Sequence, residues 1–541
     1  MKYDPHCYPF ASKRNLLYGH NGAVATSHPE AANLGLSILK KGGNAIDAAV
    51  ATAAALAVLE PTSNGLGGDC FALVHDGKTL HGLNASGWSP RNLTASRLVS
   101  QGIREIPRYG WEAFTVPGAL AGWHLLLSRF GSMSPGDLLS PLIDTFSRGV
   151  PVPPTIAENW SRACNNYSAA LKTGEEQRRG LYESWFRTFA PEGRAPRPGE
   201  LWRCDDQIGT LNLLKEEGFR SLYEGTLAEA LLSYSNKTGG YLEREDLSLY
   251  QPEWVEPVSI KYKGVEVWEI PPNGQGIVAL MALGMLCQDQ FKGFENLEDL
   301  HLGIEAIKLS FTDAQRYLAD PRSMDYKAGD LLNPPYLLER RSLIGPAALE
   351  PPPGKPPKGG TVYLATADRE GRMVSFIQSN YMGFGSGLVI PGFGVSLHNR
   401  GNNFTLEERH VNRLDGRKRP YHTIIPGFLT ENGKPLGPFG VMGGFMQPQG
   451  HLQVVMNLVD YGMNPQAALD APRWQWISDK KVILEPEYKA STLAALNRRG
   501  HETSVEINYG HFGRGQIILR QDNGVYVMGT EKRCDGYAAV Y

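Results

Sequence analysis

Thr361 stands at a junction where its hydroxyl could become a nucleophile. Before it runs Glu350-Pro-Pro-Pro-Gly-Lys-Pro-Pro-Lys-Gly-Gly360, with five prolines and three glycines in eleven residues. Such a stretch forms neither helix nor central strand and is expected to be exposed and extended. After it come Thr361-Val-Tyr-Leu-Ala-Thr-Ala367, Asp368-Arg-Glu-Gly371 and Met373-Val-Ser-Phe-Ile-Gln-Ser379, which predict strand, turn, strand. A threonine hydroxyl needs a nearby base. Cleavage of the chain just before it frees an α-amine with a pKa near 8, which can serve. A cut between Gly360 and Thr361 meets the needs of that chemistry: an exposed approach, a small preceding residue and a rigid strand behind. Local sequence alone leaves a plainer reading open, since threonine favours strands and Gly-Gly commonly precedes them.

The elements that would position this threonine are partly readable. Ser27-His28-Pro29-Glu30 fits a capping box opening a helix. Leu34, Ile38 and Leu39 stripe that helix, Lys40 and Lys41 suit its last turn, and Gly42-Gly43 ends it. A second helix starts at Asn44, with Asp47 three residues on, runs through alanines and stops at Pro61. Asn64-Gly-Leu-Gly-Gly-Asp69 reads as a loop and Phe71 to Val74 as a strand. Residues from about 110 to 310 are mostly helical in pattern, with a strand expected over Tyr262 to Ile270. Further strands are expected at Val482 to Leu484, Gln516 to Leu519 and Gly524 to Met528.

The bulk numbers narrow the function class. At 541 residues the chain needs two or more domains or one large layered unit. Lys plus Arg number 54 against 56 Asp plus Glu, so no excess charge points to nucleic acid or an anionic membrane. The longest mostly apolar run, Ala48 to Leu59, is too short to span a bilayer, and Met1 to His20 hold no signal-peptide core. A cytoplasmic location is expected. The six cysteines form no CxxC pair, the thirteen histidines are scattered, and no GxxxxGK[ST], HExxH or GxSxG occurs. No metal or cofactor is called for. Gly383-Phe-Gly-Ser-Gly387 precedes Leu388-Val-Ile-Pro391 rather than a helix, which argues against a phosphate loop.

Several separate motifs occur in one order: Ala23-Val-Ala-Thr-Ser-His-Pro-Glu30, Lys41-Gly-Gly-Asn-Ala-Ile-Asp-Ala48, Glu60-Pro-Thr-Ser-Asn-Gly-Leu-Gly-Gly68, Val116-Pro-Gly118, Thr361, Gly385-Ser-Gly387, Lys418-Arg-Pro420 and Val441-Met-Gly-Gly444. Together they resemble the γ-glutamyltranspeptidase family of N-terminal-nucleophile hydrolases. The resemblance implies an α+β fold, a four-layer αββα sandwich. It also implies a precursor cut into a large chain, residues 1–360, and a small chain, residues 361–541, which stay together through shared sheets. Thr361 takes the family's nucleophile position, Ser379 that of a hydroxyl bonded to the nucleophile, and Gly443-Gly444 that of the glycine pair whose amides form the oxyanion hole.

The substrate-reading positions depart from that pattern. Ser86 stands where the family's carboxylate-gripping arginine is expected. In Asn399-Arg-Gly-Asn-Asn403-Phe404, Asn403 replaces an aspartate and Arg400 a glutamine, and His422-Thr423 replace a serine pair. Both charge partners of an amino-acid zwitterion are therefore missing, which argues against a γ-glutamyl donor. Ser379 to Gly387, Arg419 to Thr423 and Met442 to Gln449 resemble a subgroup that includes oxamate amidohydrolases and cephalosporin-acylase-like proteins. The expectation is an acylating amidohydrolase acting on a small acidic or polar amide, with Arg400 and His422 facing the acyl group. A true γ-glutamyltransferase with altered contacts, and an uncleaved small-molecule binding protein, remain the alternatives.

Overall fold

The computed structural model describes residues 9–10, 14–173, 180–350 and 360–541. Most of the proline-rich approach to Thr361, residues 351–359, lies outside them. Among the described residues, two seven-stranded antiparallel sheets form the centre. Their strands are β1 Leu17–Gly19, β2 Gly22–Thr26, β3 Asp69–His75, β4 Leu80–Ala85, β5 Glu253–Val255, β6 Val258–Tyr262, β7 Val265–Glu269, β8 Gly360–Asp368, β9 Met373–Tyr381, β10 Gly427–Glu431, β11 Lys434–Met442, β12 Arg514–Arg520, β13 Tyr526–Thr530 and β14 Tyr537–Val540. The first sheet runs β14-β2-β8-β9-β3-β4-β5 and the second β1-β13-β12-β11-β10-β7-β6. In both, strands from before residue 360 lie beside strands from after it.

Helices cover the outer faces. On the first sheet lie α1 (Pro29–Lys40) and α2 (Ala45–Leu59), the latter packed on β8 and β9. On the second lie α3 (Gly276–Leu286), over β6 and β7, and α5 (Met446–Val459), over β11, with α4 (Leu297–Tyr317) packed on both helices. The inner faces meet where β8 contacts β11 and β12. The result is the four-layer αββα sandwich. Among the described residues no helix is long and apolar enough to cross a membrane.

The alanine-rich α2 is buried along its whole length because it is sandwiched between the first sheet and outer helices. Small side chains allow that approach: a Cβ on Gly35 of α1 would lie 2.1 Å from the Thr52 hydroxyl of α2. The Asn44–Asp47 capping box opens α2 as expected. Asp368, at the end of β8, accepts a hydrogen bond from the α2 amide of Ala45 at 2.9 Å, and Thr366 donates to the Ala45 carbonyl at 2.6 Å. The helix start thus pins the hairpin that carries Thr361. Between the sheets a Cβ on Gly440 would meet the Tyr363 ring at 2.4 Å, so glycine there sets how closely β8 and β11 approach.

Two local expectations are corrected. The N-cap of α1 is His28, whose Nδ1 accepts from the Glu30 amide at 3.1 Å. Ser27 instead donates to the buried Glu60 carboxyl at 2.5 Å, which removes it from the cap. The strand expected over Tyr262 to Ile270 is present as β7, Val265–Glu269, but Tyr262 closes the preceding strand β6 and the two form a tight hairpin. It turns at Lys263 and Gly264, both at positive φ, and Gly264 takes that conformation without strain.

The His28 cap makes stability sensitive to acid. Burial pushes its pKa down from 6.5 to about 4. Between those values the unfolded chain binds the proton first, so stability falls as pH falls through that window. Thermal unfolding is predicted at a lower midpoint near pH 4.5 than near pH 7, with His28 contributing on the order of 3 kcal/mol to the difference. His28→Asn, which can cap without titrating, should flatten that dependence; an unchanged slope would refute the assignment.

Candidate active site

Thr361 sits at a defect in the β8–β9 hairpin. Gly360 pairs with Tyr381 but Val362 pairs with Gln378, so Thr361 faces both Ser379 and Asn380 where a regular ladder offers one residue. Such a bulge re-aims side chains. The regular register on its other side sets the Thr361 hydroxyl 3.3 Å from the Ser379 hydroxyl. Ser379 Oγ also accepts from the Tyr381 amide at 2.7 Å, which orients it. Thr361 is 2% exposed. Its Oγ1 accepts a hydrogen bond from Gln447 Nε2 at 3.4 Å, and Gln447 Oε1 accepts from the Ile425 amide at 3.0 Å.

The bulge strains the next residue. Tyr381 has φ +73, a conformation that costs a buried non-glycine residue about 1–3 kcal/mol. It is held by its hydroxyl, which donates to Asn403 Oδ1 at 2.5 Å, and by the Arg400 guanidinium over its ring at 4.4 Å.

The glycine pair comes from the other sheet. β11 ends at Met442 and passes into Gly443 (φ +140) and Gly444 (φ +63) before α5 begins at Met446. Both dihedrals lie where glycine alone is comfortable. The segment is tied from behind. Gln275 Nε2 donates to the Gly444 carbonyl at 2.8 Å and to the Thr423 carbonyl at 2.6 Å. His451 Nε2 accepts from the Val441 amide at 3.1 Å, and its Nδ1 lies 2.5 Å from Glu269 Oε1. Burial pushes Glu269 well above the usual carboxylate range and His451 down to about 3, so the pair is a neutral acid on a neutral imidazole.

Thr361 and Gly443 share one cavity of about 520 Å³, lined also by Thr62, Ser63, Met442 and Phe445. A cleft of similar size, about 540 Å³, lies between α1 and the helix Pro135–Ser147, and holds none of these groups.

The residues expected to read the substrate are brought together, but behind Tyr381. Arg400 is fully buried; its Nε donates to Asp69 Oδ2 at 3.2 Å and its Nη1 to the Thr423 hydroxyl at 2.7 Å. His422 Nε2 lies 2.6 Å from the same Asp69 oxygen, and His398 Nδ1 3.5 Å from it. Burial would raise the Asp69 carboxyl, but Arg400, His422 and His398 outweigh it and hold it well below its usual range. Burial, then Arg400, push His422 down to about 4, so it donates to Asp69 as a neutral ring. Asn403 Nδ2 donates to the Tyr421 carbonyl at 3.0 Å, and the Ser86 hydroxyl donates to Asn84 Oδ1 at 2.7 Å. None of Ser86, Arg400, Asn403, His422 and Thr423 is among the residues lining the Thr361 cavity.

Sequence reasoning missed Asp69, Gln275, Tyr381 and Gln447. Asp69 closed a loop motif already noticed, and Gln447 lay inside the Met442 to Gln449 run; their partners are distant in sequence. One further cluster has metal-ligand character: His301, Glu305 and His501. Lys308 Nζ lies 2.7 Å from Glu305 and the Leu349 amide donates to the same carboxylate at 3.0 Å, so its charge is already matched by an ammonium.

The Asp69–Arg400 pair predicts a stability effect. Arg400→Ala leaves a buried carboxylate short of its cation and should destabilise by about 3–5 kcal/mol, read as a lower urea midpoint. An unchanged midpoint with a selective rise in KM for acidic amides would instead place Arg400 against the substrate.

Comparison with known proteins agrees with this architecture. A gamma-glutamyltranspeptidase family model matches residues 31–541. The glutathione hydrolase-like YwrD proenzyme of Bacillus subtilis is 35% identical over 533 residues, covering 96% of this chain and 99% of that protein. The oxamate amidohydrolase proenzyme of Klebsiella pneumoniae subsp. pneumoniae is 33% identical, covering 96% and 98%. The crystal structure of cephalosporin acylase from Bacillus halodurans superposes with a TM-score of 0.94 at 52% identity, covering 100% of this chain and 99% of that one. The chain is an enzyme of the gamma-glutamyltranspeptidase family.

Proposed function

We propose that this chain is an autoprocessing amidohydrolase precursor in which Thr361 is the nucleophile, first for its own cleavage and then for the substrate. The observation that carries the reading is that the first hydroxyl after the proline-rich segment is buried, bonded to a second hydroxyl, and opens on a cavity shared with Gly443.

In the first stage the Thr361 hydroxyl attacks the Gly360 carbonyl carbon. The Gly360–Thr361 C–N bond breaks as the nitrogen takes the hydroxyl proton, leaving an ester. Water hydrolyses the ester and frees the Gly360 carboxylate, the Thr361 hydroxyl and the Thr361 amine. The large chain 1–360 and small chain 361–541 stay associated, because strands of both lie side by side in both sheets.

In the second stage the Thr361 amine takes the hydroxyl proton as the oxygen attacks an amide carbonyl, then passes that proton to the leaving nitrogen. Ser379 and Gln447 orient the attacking oxygen. The amides of Gly443 and Gly444 receive the developing negative charge, a contribution of roughly a hundred- to a thousand-fold in rate for a single donor. Water then hydrolyses the acyl ester. A γ-glutamyl group is not the preferred donor: Ser86 and Asn403, at the positions where the resemblance calls for charged partners, carry no charge, and neither lines the Thr361 cavity. The oxamate amidohydrolase and cephalosporin acylase among the relatives point to other amides.

Thr361→Ala tests the first stage. Wild-type protein is predicted to resolve on a denaturing gel into two chains, the smaller beginning Thr-Val-Tyr-Leu, while the variant stays a single 59.5 kDa band. A variant that is cut at the same bond would refute the nucleophile assignment.

A further inference from the structure

The cavity that Thr361 opens on is larger and more cationic than a minimal amide requires. Its volume of about 520 Å³ lies within the range of sites that enclose drug-sized ligands, roughly 300–1,000 Å³. One part of its lining is apolar: Met442, Phe445, Ile477 and Ile483. Against that stand three arginines, Arg108, Arg162 and Arg514, and a single carboxylate, Glu506, 3.5 Å from His511 Nδ1. Arg162 is matched by Glu158 at 2.8 Å. Among the described residues Arg514 makes no ion pair within contact distance, and its Nε is buried without a hydrogen-bond partner.

Arg514 is also the arginine whose position is tightly defined. It opens β12 and pairs in register with Met442, the residue immediately before Gly443. Its backbone therefore belongs to the ladder that leads into the glycine pair. Behind it the buried Glu60 feels its charge, but burial holds the Glu60 pKa up at about 7 and Ser27 already donates to that carboxyl. Glu60 is thus a weak competitor for Arg514 at neutral pH and below. An underpaired guanidinium in a low-dielectric, positively lined cleft favours an anion, and its fork matches a carboxylate.

We infer that Arg514 binds a carboxylate of the substrate, and that the substrate is an amphipathic acid amide whose apolar body lies on the Met442–Phe445–Ile477–Ile483 wall. The inference rests on the proposed amidase reading of the same cavity. It assigns anion recognition to Arg514, whereas Arg400 keeps its own buried partner.

The test uses two pairs of anilides on the processed enzyme: succinic mono-p-nitroanilide against its methyl ester, and N-acetyl-4-aminobenzoate against its methyl ester. One pair carries the carboxylate on the acyl side and the other on the amine side. In wild type the acid of at least one pair should exceed its ester in kcat/KM by about ten-fold or more, as expected for a hydrogen bond to a charged group. Arg514→Gln should erase that preference, chiefly through a raised KM for the acid, so that acid and ester of the responding pair are cleaved with similar kcat/KM; Arg514→Lys should restore part of it. Equal rates for acid and ester in both wild-type pairs would overturn the inference even if the variants fail to fold. So would a preference that survives Arg514→Gln. A denaturing gel and ester hydrolysis separate the two levels: a wild-type chain that never splits and cleaves neither member refutes the amidase reading itself, and with it the substrate assignment.

Discussion

The pairing of β8 with β9 sets the Thr361 hydroxyl beside Ser379, and one surplus residue on β9 breaks that ladder immediately beyond it. The register that runs from Ala367↔Met373 to Val362↔Gln378 carries on to set Thr361 opposite Ser379. Their hydroxyls lie 3.3 Å apart; Asn380 is then the extra residue before Gly360 meets Tyr381, which sits at φ +73. The rest of the local structure resists that strain. Arg400 caps the Tyr381 ring, Asp69 anchors Arg400, and His422 and His398 share the Asp69 carboxylate. The charged network is therefore better understood as the support of the bulge than as a free binding surface. A buried pair of this kind contributes little net stability but is costly to break, which suits a part whose role is to hold a shape.

The second requirement is that two sheets meet at a fixed spacing. Thr361 belongs to the first sheet and Gly443-Gly444 extend from the second. Gly440 lets the Tyr363 ring close the gap, while Gln275 and Gln447 stitch the glycine segment to the 423–425 segment and to Thr361. The neutral Glu269–His451 pair caps the Val441 amide, an N–H that β10 does not reach because its pairing with β11 ends at Phe439. Apart from the Gln447–Thr361 contact, each hydrogen-bonded tie is a side chain satisfying a backbone group, as buried polar groups require.

Much of this was legible in the sequence, for identifiable reasons. The Asn44–Asp47 cap and the strand–turn–strand after Thr361 are local signals that no distant partner overrides, while the glycine pair was readable through its place among the ordered motifs. The αββα arrangement was readable through motifs that occur in one order along the chain. What stayed hidden depends on long-range pairing. Ser27 had the right spacing for a cap, yet Glu60, thirty-three positions away, took its hydroxyl. Arg400 looked like an unmatched cation because Asp69 is separated from it by 331 residues. The Lys263–Gly264 turn was overlooked because its flanks have the same alternation as a single strand. The bulge has no sequence signature at all, since it is a property of the pairing of two strands.

The central claim is chemical: a hydroxyl at the head of β8 carries the acyl group. Its most direct test is intact-mass and peptide-mapping spectrometry of purified protein quenched during turnover of an anilide. The account predicts an acyl adduct on the small chain alone, localised to its first residue, Thr361, and lost on further incubation with water. An adduct on any other residue, or turnover by a chain still continuous through Gly360, would contradict it.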